Sequence, residues 1–151
     1  MRFKQIKEII EHARGFHKLI ADYYRQLSEQ TERERMKMLL KYLEQHERTA
    51  EKALADYETD ASQKTLKSWS KYSACEDKLG TLKNMLSDAA TSPDDVIRLA
   101  IGLDECLLSM YRELADTSND PDVAEALQNL LSLETSELRI LARDSLKVYD
   151  M

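Results

Sequence analysis

The residues of this chain that could do chemistry are those that interrupt its apolar stripes: His17, His46, Asp104 and the pair Glu134 and Glu137. Each stands where the helical period calls for an apolar side chain. An isolated buried charge costs several kcal/mol, so such groups must be paired, neutral, solvated or bound to a metal. Two imidazoles plus a carboxylate suit a single divalent ion, Fe(II), Mn(II) or Zn(II), whose open positions could take O₂ or peroxide. Protonated histidines could instead balance the carboxylates directly, His17 beside Asp104 and His46 beside Glu134, with no metal in the core.

The elements that must position these groups are helices. Only three glycines and two prolines, with 33% charged residues, favour helix over sheet. At 151 residues and 42% hydrophobic content the chain is expected to be a single all-α domain, 1–151. The stretch from Ala13 to Leu27 returns as Ala100 to Leu114, with Ala, Gly, Tyr, Arg and Leu at matching positions. His17 then lies on Asp104, Tyr24 on Tyr111 and Gly15 on Gly102, which reads as a duplicated helical hairpin. The matched glycines suggest close helix contact at equivalent places.

The first hairpin is expected over about 4–57. Ile6, Ile10, Ala13, His17, Ile20, Tyr24 and Leu27 form one stripe, and Met36, Leu39, Leu43, His46, Ala50, Ala53 and Tyr57 the next. Thr31-Glu-Arg-Glu34 has the form of a capping box between them. On that wheel Glu44 and Glu47 fall toward solvent, a placement that a register error of one residue would reverse for Glu47. About 58–92 breaks the pattern and is long enough to cross a bundle, since a helix of about 20 residues spans roughly 30 Å. Short helical patches are expected around Leu66, Trp69 and Tyr72 and through Leu79, Leu82, Met85 and Leu86, with Trp69 sealing the bundle. The second hairpin, about 93–144, opens with Ser92-Pro-Asp-Asp95 as cap, first-turn proline and acidic start. Ile97, Ala100, Asp104, Leu107, Tyr111 and Leu114 follow on one stripe. After Asn119-Asp-Pro-Asp122 come Val123, Leu127, Leu130, Glu134, Glu137 and Leu141, with fraying beyond about Asp144.

A formal charge of −6 opposes attraction to a phosphate backbone, so nucleic acid is not an expected partner. Cys75 and Cys106 form no CxxC pair, which makes a reduced, cytoplasmic setting with packing thiols the simplest expectation. The opening residues read as no signal peptide, and no apolar run reaches spanning length, so no membrane is expected.

Taken together, the stripes, the repeat and the placement of polar groups resemble the ferritin-like superfamily, its rubrerythrin and bacterioferritin branches in particular, from about Ile6 to Ala142. The resemblance implies an antiparallel four-helix bundle with a long crossover between helices two and three, built from the duplicated hairpin. That family carries one Glu on the first helix, Glu-x-x-His on the second, one Glu on the third and Glu-x-x-His on the fourth, around two metal ions. Here His17 and Asp104 fall on the single Glu positions, His46-Glu-Arg-Thr49 on the second-helix motif and Glu134-Thr-Ser-Glu137 on the fourth. Tyr24 and Tyr111 match the family's Tyr seven residues past its Glu. Glu134 alone matches a family ligand directly.

The resemblance therefore implies a degenerate non-haem site, with metal ligands drawn from His17, His46, Asp104, Glu134 and Glu137, and with Tyr24, Tyr111 and Thr49 as outer support. One Fe, Mn or Zn ion is preferred over a dinuclear centre bridged by Glu134 alone, because a neutral imidazole cannot bridge as a carboxylate does. Oxygen or peroxide chemistry, homo-oligomer formation and a separate electron donor are what the family would imply, since the CxxC pairs of a rubredoxin module are missing. The competing expectation is a non-catalytic helical scaffold that kept the fold and replaced the ions by a His/carboxylate network.

Overall fold

The computed structural model describes residues 2–72 and 92–150. Among the described residues it is all-α apart from two short strands, distant in the chain, that pair antiparallel. In chain order the elements are β1 (Arg2–Gln5), α1 (Ile6–Gln30), α2 (Glu34–Asp60), α3 (Gln63–Leu66), β2 (Trp69–Tyr72), α4 (Pro93–Thr117) and α5 (Pro121–Asp150). The sequence pattern around Leu79 to Leu86 lies outside the described residues.

Each long helix buries the stripe that its spacing marks. On α1, Ile6, Ile10, Ala13, Phe16, Ile20 and Tyr24 are buried at steps of three and four, with Ile9 beside them on the same inward face. Leu39, Leu43 and Leu54 of α2, Leu103 of α4 and Leu127 of α5 are fully enclosed in the shared core. Burial of such a side chain stabilises by about 1.5–3 kcal/mol, so the stripes rather than helix propensity hold the assembly.

Helix ends follow local chemistry, not always the one the sequence suggests. Ser92 caps α4, its hydroxyl accepting from the Asp95 N–H at 3.2 Å, with Pro93 in the first turn. Asp120 does the same for α5, Oδ1 accepting from the Asp122 N–H at 2.9 Å. The capping box expected at Thr31–Glu34 is not formed. Thr31 is extended and closes α1 by donating its N–H to the Leu27 carbonyl, so α2 begins only at Glu34. At the start of α1 the Gln5 N–H donates to Glu8 Oε1 at 3.1 Å.

Three further expectations are corrected. Trp69 lies on β2, which pairs antiparallel with β1 so that Gln5 faces Trp69 and Phe3 faces Lys71. At 60% exposure Trp69 seals nothing among the described residues. Gly15 and Gly102 do not mark close helix contact, since a methyl group built at either would meet nothing within 4 Å. The tail does not fray at Asp144, because α5 continues to Asp150 and keeps Ser145 fully buried.

Short links make α1 antiparallel to α2 and α4 antiparallel to α5. Contacts along α2 and α5 give their relative direction. The Tyr42 phenol feels the charge of Asp144 near one end, and Lys64, just past α2, pairs with Asp122 at 3.2 Å near the other. The two helices are therefore antiparallel, which leaves α2 and α4 running the same way. No described helix is long and apolar enough to cross a membrane.

The Ser92 cap offers a check of this local chemistry. Ser92→Ala should destabilise the fold by about 1 kcal/mol, read as a lower urea midpoint with an unchanged slope.

Candidate metal centre

The four long helices each deliver ionisable groups to one buried centre: His17 from α1, His46 and Glu47 from α2, Asp104 from α4 and Glu134 from α5. All five are at most 7% exposed. They are there because each continues an apolar stripe, which carries it into the core whatever its own polarity.

His17 stands between two carboxylates. Its Nδ1 is hydrogen-bonded to Glu47 Oε2 and its Nε2 to Glu134 Oε1, so both ring nitrogens are engaged from different helices. His46 Nε2 bonds Asp104 Oδ2 at 2.9 Å. A carboxylate oxygen of Glu47, one of Asp104 and a ring nitrogen of His17 all lie within 4.8 Å of one another.

The pairing differs from the one the sequence suggests. His17 meets Glu47 and Glu134 rather than Asp104, and His46 meets Asp104 rather than Glu134. Glu47, expected toward solvent, is fully buried, whereas Thr49 is exposed and cannot support the centre from where it stands. Glu137 is half-buried and contributes its charge to the surroundings of His46 without a described hydrogen bond to it. Tyr24 and Tyr111 are both fully buried, and Tyr24 lies close enough to Glu47 and Asp104 to feel both.

Glu47 had a signal in the sequence. Leu39, Leu43, Glu47, Ala50 and Leu54 follow steps of four, four, three and four, and all are at most 1% exposed. That stripe competes with the one through His46, Ala53 and Tyr57, and the true buried face of α2 is wide enough to include both His46 and Glu47.

Electrostatics couples these groups. Burial disfavours a charged His17, but the Glu134 and Glu47 charges and hydrogen bonds outweigh it and hold its pKa well above the ordinary histidine range. Burial likewise opposes charge on His46, and the Asp104 hydrogen bond and charge raise its pKa nonetheless. Burial and the nearby Glu47 charge push Asp104 up to about 6, against the opposing pull of His46 and His17. Tyr24 is raised well above the ordinary phenol range by burial and by the Glu47 and Asp104 charges, so it stays a neutral hydroxyl.

Two arginine clamps bracket the His17–Glu47 pair. Arg14, one turn before His17, bonds Glu51 at 2.9 Å and Glu58 at 3.0 Å. Arg48, next to Glu47, bonds Asp22 at 3.1 Å and Glu44 at 2.8 Å. Partly exposed ion pairs are worth only about 0–1 kcal/mol each. Their use here is geometric, because together they hold α1 and α2 in the register that brings His17 to Glu47.

The fit to a cation is readable from unfilled acceptors. Glu47 Oε1, Asp104 Oδ1 and Glu134 Oε2 are buried with no hydrogen-bond partner among the protein groups, and so is the Tyr24 hydroxyl. Unsatisfied buried acceptors are costly, and a cation bound between Glu47 and Asp104, which offer carboxylate oxygens within 4.8 Å of each other, would satisfy two of them. Away from the centre, Cys106 is disulfide-bonded, which corrects the expectation of a free packing thiol. No family model, curated protein or solved structure matches this chain.

The shifted groups set a pH dependence. His17 and His46 have folded pKa values above the unfolded 6.5, so their contribution is full below about 6.5 and is lost as pH rises through the folded values. Asp104, raised from 3.8 to about 6, acts in the same direction between those two values, because the folded chain binds its proton more tightly. Metal-free protein in chelator should lose thermal stability as pH is raised from 6 to 9, and His17→Gln should flatten that slope. Calorimetry across the range gives the answer, and an unchanged slope in the variant would remove His17 from the account.

Glu47→Leu offers a check of a different kind. It takes away one partner of a buried charged group and should destabilise the metal-free chain by about 3–5 kcal/mol, measured by denaturant unfolding.

Proposed function

We propose that this chain is a ferritin-like four-helix bundle holding one non-haem divalent metal ion, Fe, Mn or Zn, in an altered centre. The observation that carries the reading is the set of buried carboxylates, Glu47, Asp104 and Glu134, each with one oxygen bonded to an imidazole and one left without a protein partner. The shared direction of α2 and α4 supports it further, because two parallel helices in sequence need a connection that travels the length of the bundle. So does the delivery of polar groups by all four long helices to one level.

In this reading Glu47, Asp104 and Glu134 supply negative charge to the ion, and His17 and His46 either ligate it or orient the carboxylates. An Fe or Mn ion held there would supply one-electron chemistry toward O₂ or peroxide. The chain's own contribution is a dry, charged cavity that fixes the ligands and keeps bulk water out. Tyr24, neutral and adjacent to Glu47 and Asp104, can donate its hydroxyl proton to a site carboxylate. Assembly into homo-oligomers and reduction by a separate electron donor belong to the same proposal.

A second reading is favoured by one specific contact. His17 already engages Glu47 and Glu134 through both nitrogens, so a protonated ring can act as the internal cation of a non-catalytic helical scaffold. Metal analysis separates the two. Protein purified without chelator, or reconstituted at neutral pH, should carry about one equivalent of Fe, Mn or Zn, and a content below about a tenth of an equivalent after reconstitution would end the metal reading. His46→Leu leaves Asp104 without its buried partner and so destabilises the chain under either reading; under the metal reading it also lowers metal affinity, by about 10- to 100-fold if the ring only orients Asp104.

A further inference from the structure

The hydrogen-bond pattern within the centre says more about the ion than the choice of residues does. Glu47 spends Oε2 on His17, Glu134 spends Oε1 on the same ring, and Asp104 spends Oδ2 on His46. The other oxygen of each carboxylate is buried and without a protein partner. Both nitrogens of His17 and the Nε2 of His46 are thus committed to carboxylates, while each of the three carboxylates keeps one oxygen uncommitted. Tyr24 adds a buried phenolic oxygen with no protein partner, beside Glu47 and Asp104.

From this we infer that the ion is taken by oxygen alone, through Glu47 Oε1 and Asp104 Oδ1, while Glu134 balances charge from the other nitrogen of His17, and His17 and His46 hold the two ligating carboxylates from behind. This rests on the metal reading above and specifies its ligand class: a hard, oxygen-preferring divalent cation such as Mn(II) or Mg(II), rather than an imidazole-bound Zn(II). The order of the two shells is the reverse of the usual one, in which a metal-bound histidine donates its other N–H to an outer carboxylate. Two facts support the reversal. A histidine bonded to carboxylates at both nitrogens has no lone pair to offer a metal unless it gives up one of those bonds. Carboxylates held through one oxygen remain free to ligate through the other.

The test uses the full chain stripped with chelator and titrated with Mn(II), the bound ion being read by pulsed electron–nuclear double resonance for ¹⁴N coupling. The expected result is one Mn(II) per chain with no coupling of the size given by a coordinated imidazole. His46→Gln should still fill to one equivalent, with affinity lowered about 10- to 100-fold as for loss of an outer-shell partner. Glu47→Gln should show no saturable binding at the Mn(II) concentration that fills His46→Gln. Far-ultraviolet circular dichroism checks that each variant is folded, and Asp104→Asn replaces Glu47→Gln if the latter is not. A bound Mn(II) with coordinated nitrogen overturns the oxygen-only assignment and leaves the metal reading standing, as does undiminished binding in a folded Glu47→Gln. Failure of Mn(II) to bind while Zn(II) fills the centre also overturns the assignment alone. If Mn(II), Zn(II) and Fe(II) all fail to bind, both fall.

Discussion

Three buried carboxylates cannot share one small volume unless positive charge or protons sit among them, and the rest of this structure answers to that constraint. Glu47, Asp104 and Glu134 come from three helices, and His17, from the fourth, is the group that lies between two of them. Coulomb energy between like charges at short range is large wherever water is excluded, so the centre is stable only in a balanced protonation or metal-bound state. The raised pKa values of His17, His46 and Asp104 are three expressions of this one balance.

Balance at the centre requires register at the periphery. A hydrogen bond tolerates a few tenths of an ångström, whereas one residue of sliding along a helix moves a side chain by about 1.5 Å and turns it by about 100°. Packed apolar stripes above and below the polar level hold the four long helices against such sliding. Arg14 and Arg48 add clamps on either side of the α1–α2 contact, reaching Glu51 and Glu58 at one end and Asp22 and Glu44 at the other. Individually weak at a partly exposed surface, these pairs act where a small register error would separate His17 from Glu47.

The two helical hairpins bring different groups to the centre. The environment of His17 favours its cation, whereas burial and the Glu47 charge raise the Asp104 carboxyl pKa to about 6. They take different partners, His17 using Glu47 and Glu134 while Asp104 uses His46. The cross-pairing also ties each hairpin to the other, since the His17–Glu134 and His46–Asp104 bonds both pass from the first hairpin to the second.

The helices, most of their buried stripes, the Ser92 cap and the presence of ionisable groups on the inner faces were all legible in the sequence, because each depends on residues within a few positions of one another. The long-range pairing of β1 with β2, the burial of Glu47 beside His46 and the exchange of partners between His17 and His46 were not. Periodicity tells which face of a helix is apolar only to within roughly 100°, so two adjacent residues such as His46 and Glu47 can both lie inside its edge. Which carboxylate meets which imidazole depends further on the axial offset between helices and on the direction each side chain leaves its backbone. Those quantities arise only when four stripes pack together, and so the pairing within the centre was decided by tertiary structure, although all of its residues but Glu47 stood on inner faces in the sequence pattern.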